Sequence, residues 1–127
     1  MLSRPLILLG CGKMGSAMLE GWLEIGFDKK QIYIIEPHNQ TADILRKNGL
    51  TTLNSLEQFP SNLEPEIVIF AVKPQTMDEV APAYSRYCSA NTIFLSIAAG
   101  KTIKYFQDIL GTDSIIVRAM PNTPASI

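Results

Sequence analysis

The sequence predicts a doubly wound α/β domain, a parallel sheet of about six strands with helices on both faces. Three observations predict it. Short apolar runs without polar alternation recur along the chain, as in parallel strands buried on both faces. Segments of helical period separate them. A glycine cluster at Gly10, Gly12 and Gly15 stands between the first run and the first helical segment.

Five runs read as strands: Leu6 to Leu9, Ile32 to Ile35, Ile67 to Val72, Thr92 to Ile97 and Ser114 to Val117. Leu50 to Leu53 supplies the sixth. The first helix carries Met14, Met18 and Trp22 every fourth residue, with Ala17, Leu19 and Leu23 beside them and Gly26 as its stop. A second starts near Asn39 to Thr41, runs through Ala42 and Leu45, and stops at Asn48 and Gly49. A third has a capping box, Thr76 with Glu79 three residues on, and Pro82 should kink it or delay its start. The fourth starts at Thr102, presents Tyr105, Phe106, Ile109 and Leu110, and ends at Gly111.

The 127 residues fit a single domain, 1–127, and show no internal repeat or low-complexity tract. A net charge of -1 with 18% charged residues offers no footprint for nucleic acid or an anionic membrane. The apolar stretch from Pro5 to Leu9 is too short to span a bilayer. Cys11 and Cys88 have no metal-ligand spacing and suggest no disulfide framework, so the expected setting is the reducing cytoplasm.

Gly10-Cys11-Gly12-Lys13-Met14-Gly15 matches G-x-G-x-x-G directly after a strand and directly before a helix. The first glycine permits a tight turn, the second lets backbone approach a pyrophosphate, and the third lets helix and strand pack closely. The anion then meets free N–H groups at the positive end of the helix dipole. The expectation is a dinucleotide site of the Rossmann type, binding NADH or NADPH. Cys11 reads as a small residue packed at the turn, and Lys13 equally as a phosphate contact or a surface lysine.

Glu36 ends the second strand about 20 residues beyond the loop, where the fingerprint places an acceptor for the adenosine ribose hydroxyls. Its charge would repel a 2′-phosphate, which tilts the expectation toward NADH; His38, Asn39, Gln40 and Thr41 at the next helix start could still hold a phosphate. Alternatively, Glu36 is a solvated strand end. His38 lies at the adenosine end, away from hydride chemistry.

Three later strand ends carry further chemistry. The fourth reads Ala71-Val72-Lys73-Pro74-Gln75, which brings Lys73 to the ligand crevice. The fifth ends in the small residues Ala98, Ala99 and Gly100. The sixth leads into Met120-Pro121-Asn122-Thr123-Pro124-Ala125, two prolines bracketing an amide and a hydroxyl.

In this order and spacing, the glycine loop, A-V-K-P, A-A-G and M-P-N-T-P-A resemble the cofactor domain of pyrroline-5-carboxylate reductases, from about Leu6 to the C-terminus. The resemblance implies hydride transfer from a nicotinamide to the imine of 1-pyrroline-5-carboxylate, giving L-proline. It implies that Leu9, Gly10, Cys11, Gly12, Lys13, Met14 and Gly15 cradle the pyrophosphate. Asn54 would contact the adenosine side, and Ala71, Val72, Lys73 and Pro74, with Ala98, Ala99 and Gly100, would line the nicotinamide end. Asn122 and Thr123 would sit near nicotinamide and imine, with Met120 and Pro121 shaping the wall. Glu36 stands where the family often has a small or neutral residue, and Lys13 where it often has Asn or Gln.

The resemblance also implies a helical dimerisation domain beyond the last loop, completing the substrate pocket of a homo-oligomer. The expectation is that this chain is truncated before it, lacks the proton donor, and binds cofactor and reduces imine poorly alone. No nucleophile with a base and no metal cluster is apparent. Two other readings stay open: the cofactor domain of a related reductase, such as a β-hydroxyacid dehydrogenase, and a stand-alone, non-catalytic nucleotide-binding module.

Overall fold

The computed structural model describes residues 2–10, 12–98 and 100–119. Six strands form one sheet: β1 (Leu6–Leu9), β2 (Ile32–Ile35), β3 (Thr51–Leu53), β4 (Ile67–Phe70), β5 (Ile93–Ser96) and β6 (Ile115–Arg118). Four helices intervene: α1 (Lys13–Glu24), α2 (Asn39–Lys47), α3 (Pro74–Val80) and α4 (Ile103–Leu110). Every pairing is parallel, and the order is β3-β2-β1-β4-β5-β6. Parallel neighbours require crossovers, which the helices provide, and their apolar stripes bury the two faces separately.

On one face Ile7, Leu9, Ile35, Val68, Phe70 and Phe94 pack with Met77, Tyr84, Phe106 and Leu110 from α3, α4 and the segment between them. Phe70 is the hub: Tyr84 meets its ring edge-on at 5.5 Å, and Phe106 stacks on it at 5.5 Å. On the other face Leu6, Leu8, Ile32, Ile34 and Ile69 pack with Leu19 of α1, Leu45 of α2 and Leu50. Odd and even residues of β1 divide between the two cores, as a period of two demands.

Three local expectations are corrected. The capping box at Thr76 and Glu79 does not form, because α3 begins at Pro74 with Lys73 as its N-cap. Proline at the first helical position needs no N–H partner and presets φ, so it takes the start from Thr76. Pro82 neither delays nor kinks the helix; α3 ends at Val80, and the chain continues as a 3-10 helix, Ala81–Tyr87, whose tighter turns accommodate the missing donor. The last strand is not buried on both faces. It is the sheet edge, α4 covers one side only, and Ile115 and Val117 are exposed.

The amino-terminal end of the sheet is tied by charge. Glu66, just before β4, accepts at one carboxylate oxygen from Ser3 N (3.0 Å), Ser3 Oγ (2.8 Å) and Arg4 N (3.2 Å). The Arg4 guanidinium bonds Glu64 at 3.1 Å and reaches the carbonyls of Pro65 and Asn91. The Ser3 hydroxyl and amide, followed by Arg4, hold the Glu66 carboxyl below its ordinary range. A lowered folded-state value means stability that is present above the unfolded pKa and lost as pH falls through the folded one. Glu66→Gln is therefore expected to cost roughly 1 kcal/mol at neutral pH, after discounting for exposure. The difference should shrink in melts taken at falling pH and vanish once the Glu66 carboxyl is protonated in both states.

Candidate functional site

Where strand order reverses, between β1 and β4, the loops at the two carboxyl ends diverge and leave a crevice. Ladder hydrogen bonds run one residue past the strands: Gly10 N to Ile35 O (3.0 Å), Glu36 N to Leu53 O (2.7 Å) and Ala71 N to Leu9 O (2.9 Å). Backbone pairing thus fixes the positions at which each candidate loop begins.

The glycines divide by what surrounds them. Gly10 turns at φ +84, and a Cβ there would stand 3.0 Å from Val72 Cγ1 and 3.2 Å from Ala71 O. A Cβ on Gly15 would lie 3.2 Å from Gly10 O, so the close seat of α1 on the β1 loop needs its absence. Gly12 differs. It is the α1 N-cap at φ -74 and ψ -163, extended backbone open to any residue, and a Cβ there would meet nothing within 4 Å. Among the described residues, packing asks for glycine at the first and third positions and gives no steric reason for the second. Gly12 offers α1 no side-chain cap, and no acid stands in its first turn among the described residues, which leaves the positive end of the helix suited to an anion.

Beyond β2, Glu36 Oε2 accepts from His38 N at 3.0 Å and closes a short turn onto α2. Asn54, after β3, donates from Nδ2 to Glu36 O and to Asn39 Oδ1, both at 3.1 Å, and accepts at Oδ1 from Arg46 at 3.0 Å. The expected adenosine-side residues are thus gathered, although both Asn54 amide hydrogens are spent within the protein. Beside them a cavity of about 230 Å³ runs from Leu9, Ile35 and Pro37 to Val72, Thr76 and Val80, mostly apolar in its walls. A wider cavity of about 460 Å³ lies at the opposite end of the sheet, around Arg4, Gln31 and Glu64, remote from these loops.

Across the crevice, Ala71 and Val72 follow β4 partly buried, whereas Lys73 and Pro74 are exposed at the α3 start. Ala98 is buried after β5, with its N–H donating to Ser96 Oγ at 3.2 Å, and Gly100 is exposed. Behind these loops Tyr105 donates its hydroxyl to Asp78, and Lys101 Nζ lies 3.6 Å from Asp78 and 4.3 Å from the centre of the Tyr105 ring. The Tyr105 bond, then Lys101, lowers the Asp78 pKa; burial, then Asp78, pushes Tyr105 up to about 12. This brace between α3 and α4 escaped sequence reasoning, because Asp78 and Tyr105 stand 27 positions apart and no local pattern couples them.

Cys11, Ala99, Met120, Pro121, Asn122 and Thr123 lie outside the described residues, as do the side chains of Lys13 and Met14. Among the described residues no three His, Cys, Asp or Glu side chains gather as metal ligands. No helix among them is long and apolar enough to cross a membrane.

The chain is similar to known proteins along nearly its whole length. The chain is 30% identical to a pyrroline-5-carboxylate reductase of Pasteurella multocida over 100% of its own length and 47% of that protein. Among solved structures, a pyrroline-5-carboxylate reductase from Coxiella burnetii superposes with a TM-score of 0.83 at 28% identity, covering 98% of this chain and 46% of the other. A pyrroline carboxylate reductase from Plasmodium falciparum, with NADP bound, gives 0.78 at 27% identity, covering 98% and 44%. The chain spans about half the length of these relatives and corresponds to their N-terminal domain. A family model described as NADP oxidoreductase, coenzyme F420-dependent, matches residues 6–100, and the chain belongs to that family.

Proposed function

We propose that residues 1–127 are the NAD(P)H-binding half of a cytoplasmic reductase that converts 1-pyrroline-5-carboxylate to L-proline and works as a homo-oligomer. The observation that carries the cofactor reading is Gly12, a glycine whose missing side chain the fold itself does not require. The substrate reading rests on similarity to pyrroline-5-carboxylate reductases over the whole chain. That similarity favours an enzyme over a stand-alone module.

In this reading the amides at the amino-terminal turn of α1 receive the pyrophosphate. The apolar cavity at its Ile35 and Pro37 end takes the adenine ring, and Glu36 accepts from the ribose hydroxyls. Ala71, Val72, Lys73 and Pro74, with Ala98, Ala99 and Gly100, line the nicotinamide. Asn122 and Thr123 stand beside the imine. When bound, the reduced nicotinamide would supply the hydride that turns the imine CH to CH2, while a proton reaches the ring nitrogen. The chain's residues orient the reactants.

Because only Oε2 of Glu36 is engaged by described residues, Oε1 is available to a ribose hydroxyl and repels a phosphate placed there. Fluorescence titration should therefore show NADH binding about tenfold more tightly than NADPH, equivalent to roughly 1.4 kcal/mol. Equal or tighter NADPH binding would overturn the preference. Binding of neither would overturn the cofactor reading. Cofactor oxidation by the whole protein, dependent on 1-pyrroline-5-carboxylate and yielding L-proline, tests the reaction; its absence would overturn the substrate assignment.

A further inference from the structure

The turn that carries Glu36, residues 36–39, is held from behind by side chains of α2 and the segment after β3. Arg46, near the end of α2, uses all three guanidinium nitrogens: Nε donates to Thr52 O at 3.0 Å, one terminal nitrogen to Asp43 at 3.2 Å and the other to Asn54 Oδ1 at 3.0 Å. Asn54 passes this constraint on through its two Nδ2 hydrogens, to the Glu36 carbonyl and the Asn39 side chain. Its own N–H donates to Gln58 Oε1 at 2.8 Å. Flipping the amide would set its NH₂ against the Arg46 donor, so only one orientation satisfies the network. Glu36 is consequently held at its N–H by Leu53, at its carbonyl by Asn54 and at Oε2 by His38, and Oε1 keeps its hydrogen-bonding capacity.

We infer that Arg46 and Asn54 are positioning residues for cofactor discrimination, acting through Glu36 and Asn39. The inference rests on the dinucleotide reading and deepens it. A planar guanidinium is required, since a lysine ammonium cannot serve Thr52 O and Asn54 Oδ1 in these directions at once. Loss of the network loosens the turn that aims the carboxylate. Affinity for the dinucleotide that Glu36 favours then falls, while the penalty on the other is relieved.

The test measures dissociation constants of NADH and NADPH by fluorescence, with a thermal melt of each protein, for the parent, Arg46→Lys, Asn54→Ala and Asp43→Asn. Arg46→Lys and Asn54→Ala should each move the ratio of the two constants roughly tenfold toward unity, the scale of one or two lost hydrogen bonds. Asp43→Asn leaves the links to Thr52 and Asn54 in place and should keep the parental ratio. A merely structural role would lower the melting temperature and weaken both cofactors equally; that result overturns the inference. Arg46→Lys, the milder change, keeps the test decisive if Asn54→Ala does not fold. A parent that prefers NADPH, with a ratio that still moves, supports the inference and overturns the NADH preference alone. A parent that binds neither overturns both.

Discussion

Gly12→Val is expected to lower the melting temperature by no more than about 4 °C, the cost of a poorer N-cap. The same change should weaken NADH binding by at least about tenfold, the factor that 1.4 kcal/mol represents. The backbone there is extended and accepts a branched residue, and beyond its chain neighbours no described residue comes within 4 Å of the new Cβ. In the liganded domain the added methyls would occupy the approach to the α1 amides and hold the pyrophosphate away from them. Melting curves and fluorescence titration on the same preparations separate the two effects. A variant that binds NADH like the parent would show that Gly12 is not opposite the pyrophosphate, and the cofactor reading would lose its main support.

Gly10→Ala should do the reverse and strike the fold. At φ +84 an alanine carries roughly 1–2 kcal/mol of backbone strain. Its Cβ also presses on Val72 Cγ1 at 3.0 Å and Ala71 O at 3.2 Å, which adds about 1–3 kcal/mol of overpacking. The melting temperature should fall on the order of 10 °C. Val72→Ala removes the side-chain collision but neither the φ strain nor the Ala71 carbonyl. The double variant should therefore be less destabilised than the sum of the singles, a coupling that a mutant cycle reads directly. Strict additivity would mean that the loop relaxes away from β4 and that the crevice is less rigid than its hydrogen bonds suggest.

The parts of the fold legible in the sequence are those specified by neighbours along the chain. β1 and β2 fall on the predicted residues because both are apolar runs buried on both faces, and Thr102 caps α4 because a hydroxyl and an amide three residues apart suffice, 3.0 Å apart here. The burial of β6 was misread because an edge strand carries the same apolar string as a central one; only the sheet order exposes Ile115 and Val117. At α3, Pro74 and Thr76 are competing start signals, and the proline prevailed. The candidate site shows the same division. The glycine loop and the strand-end motifs are local strings, whereas Arg46 with Asn54, and Asp78 with Tyr105, meet only after the strands are ordered. The resemblance implies an adenosine-side place for Asn54, whereas the partners of its two amide donors, 15 and 18 residues away, leave no local signal in the sequence.

The candidate pyrophosphate seat, made from main-chain amides at the end of α1 and from vacated side-chain space, has a consequence for how such a chain can diversify. Main-chain groups are common to every amino acid, so most substitutions around the seat cannot retune it; they only leave it open or obstruct it. Graded change is confined to places where side chains speak for the backbone, here the short turn after β2 and the residues that brace it. A lineage exploring new cofactors would accumulate its differences there while the glycine loop stayed fixed, and an engineer seeking a new redox partner has the same narrow window.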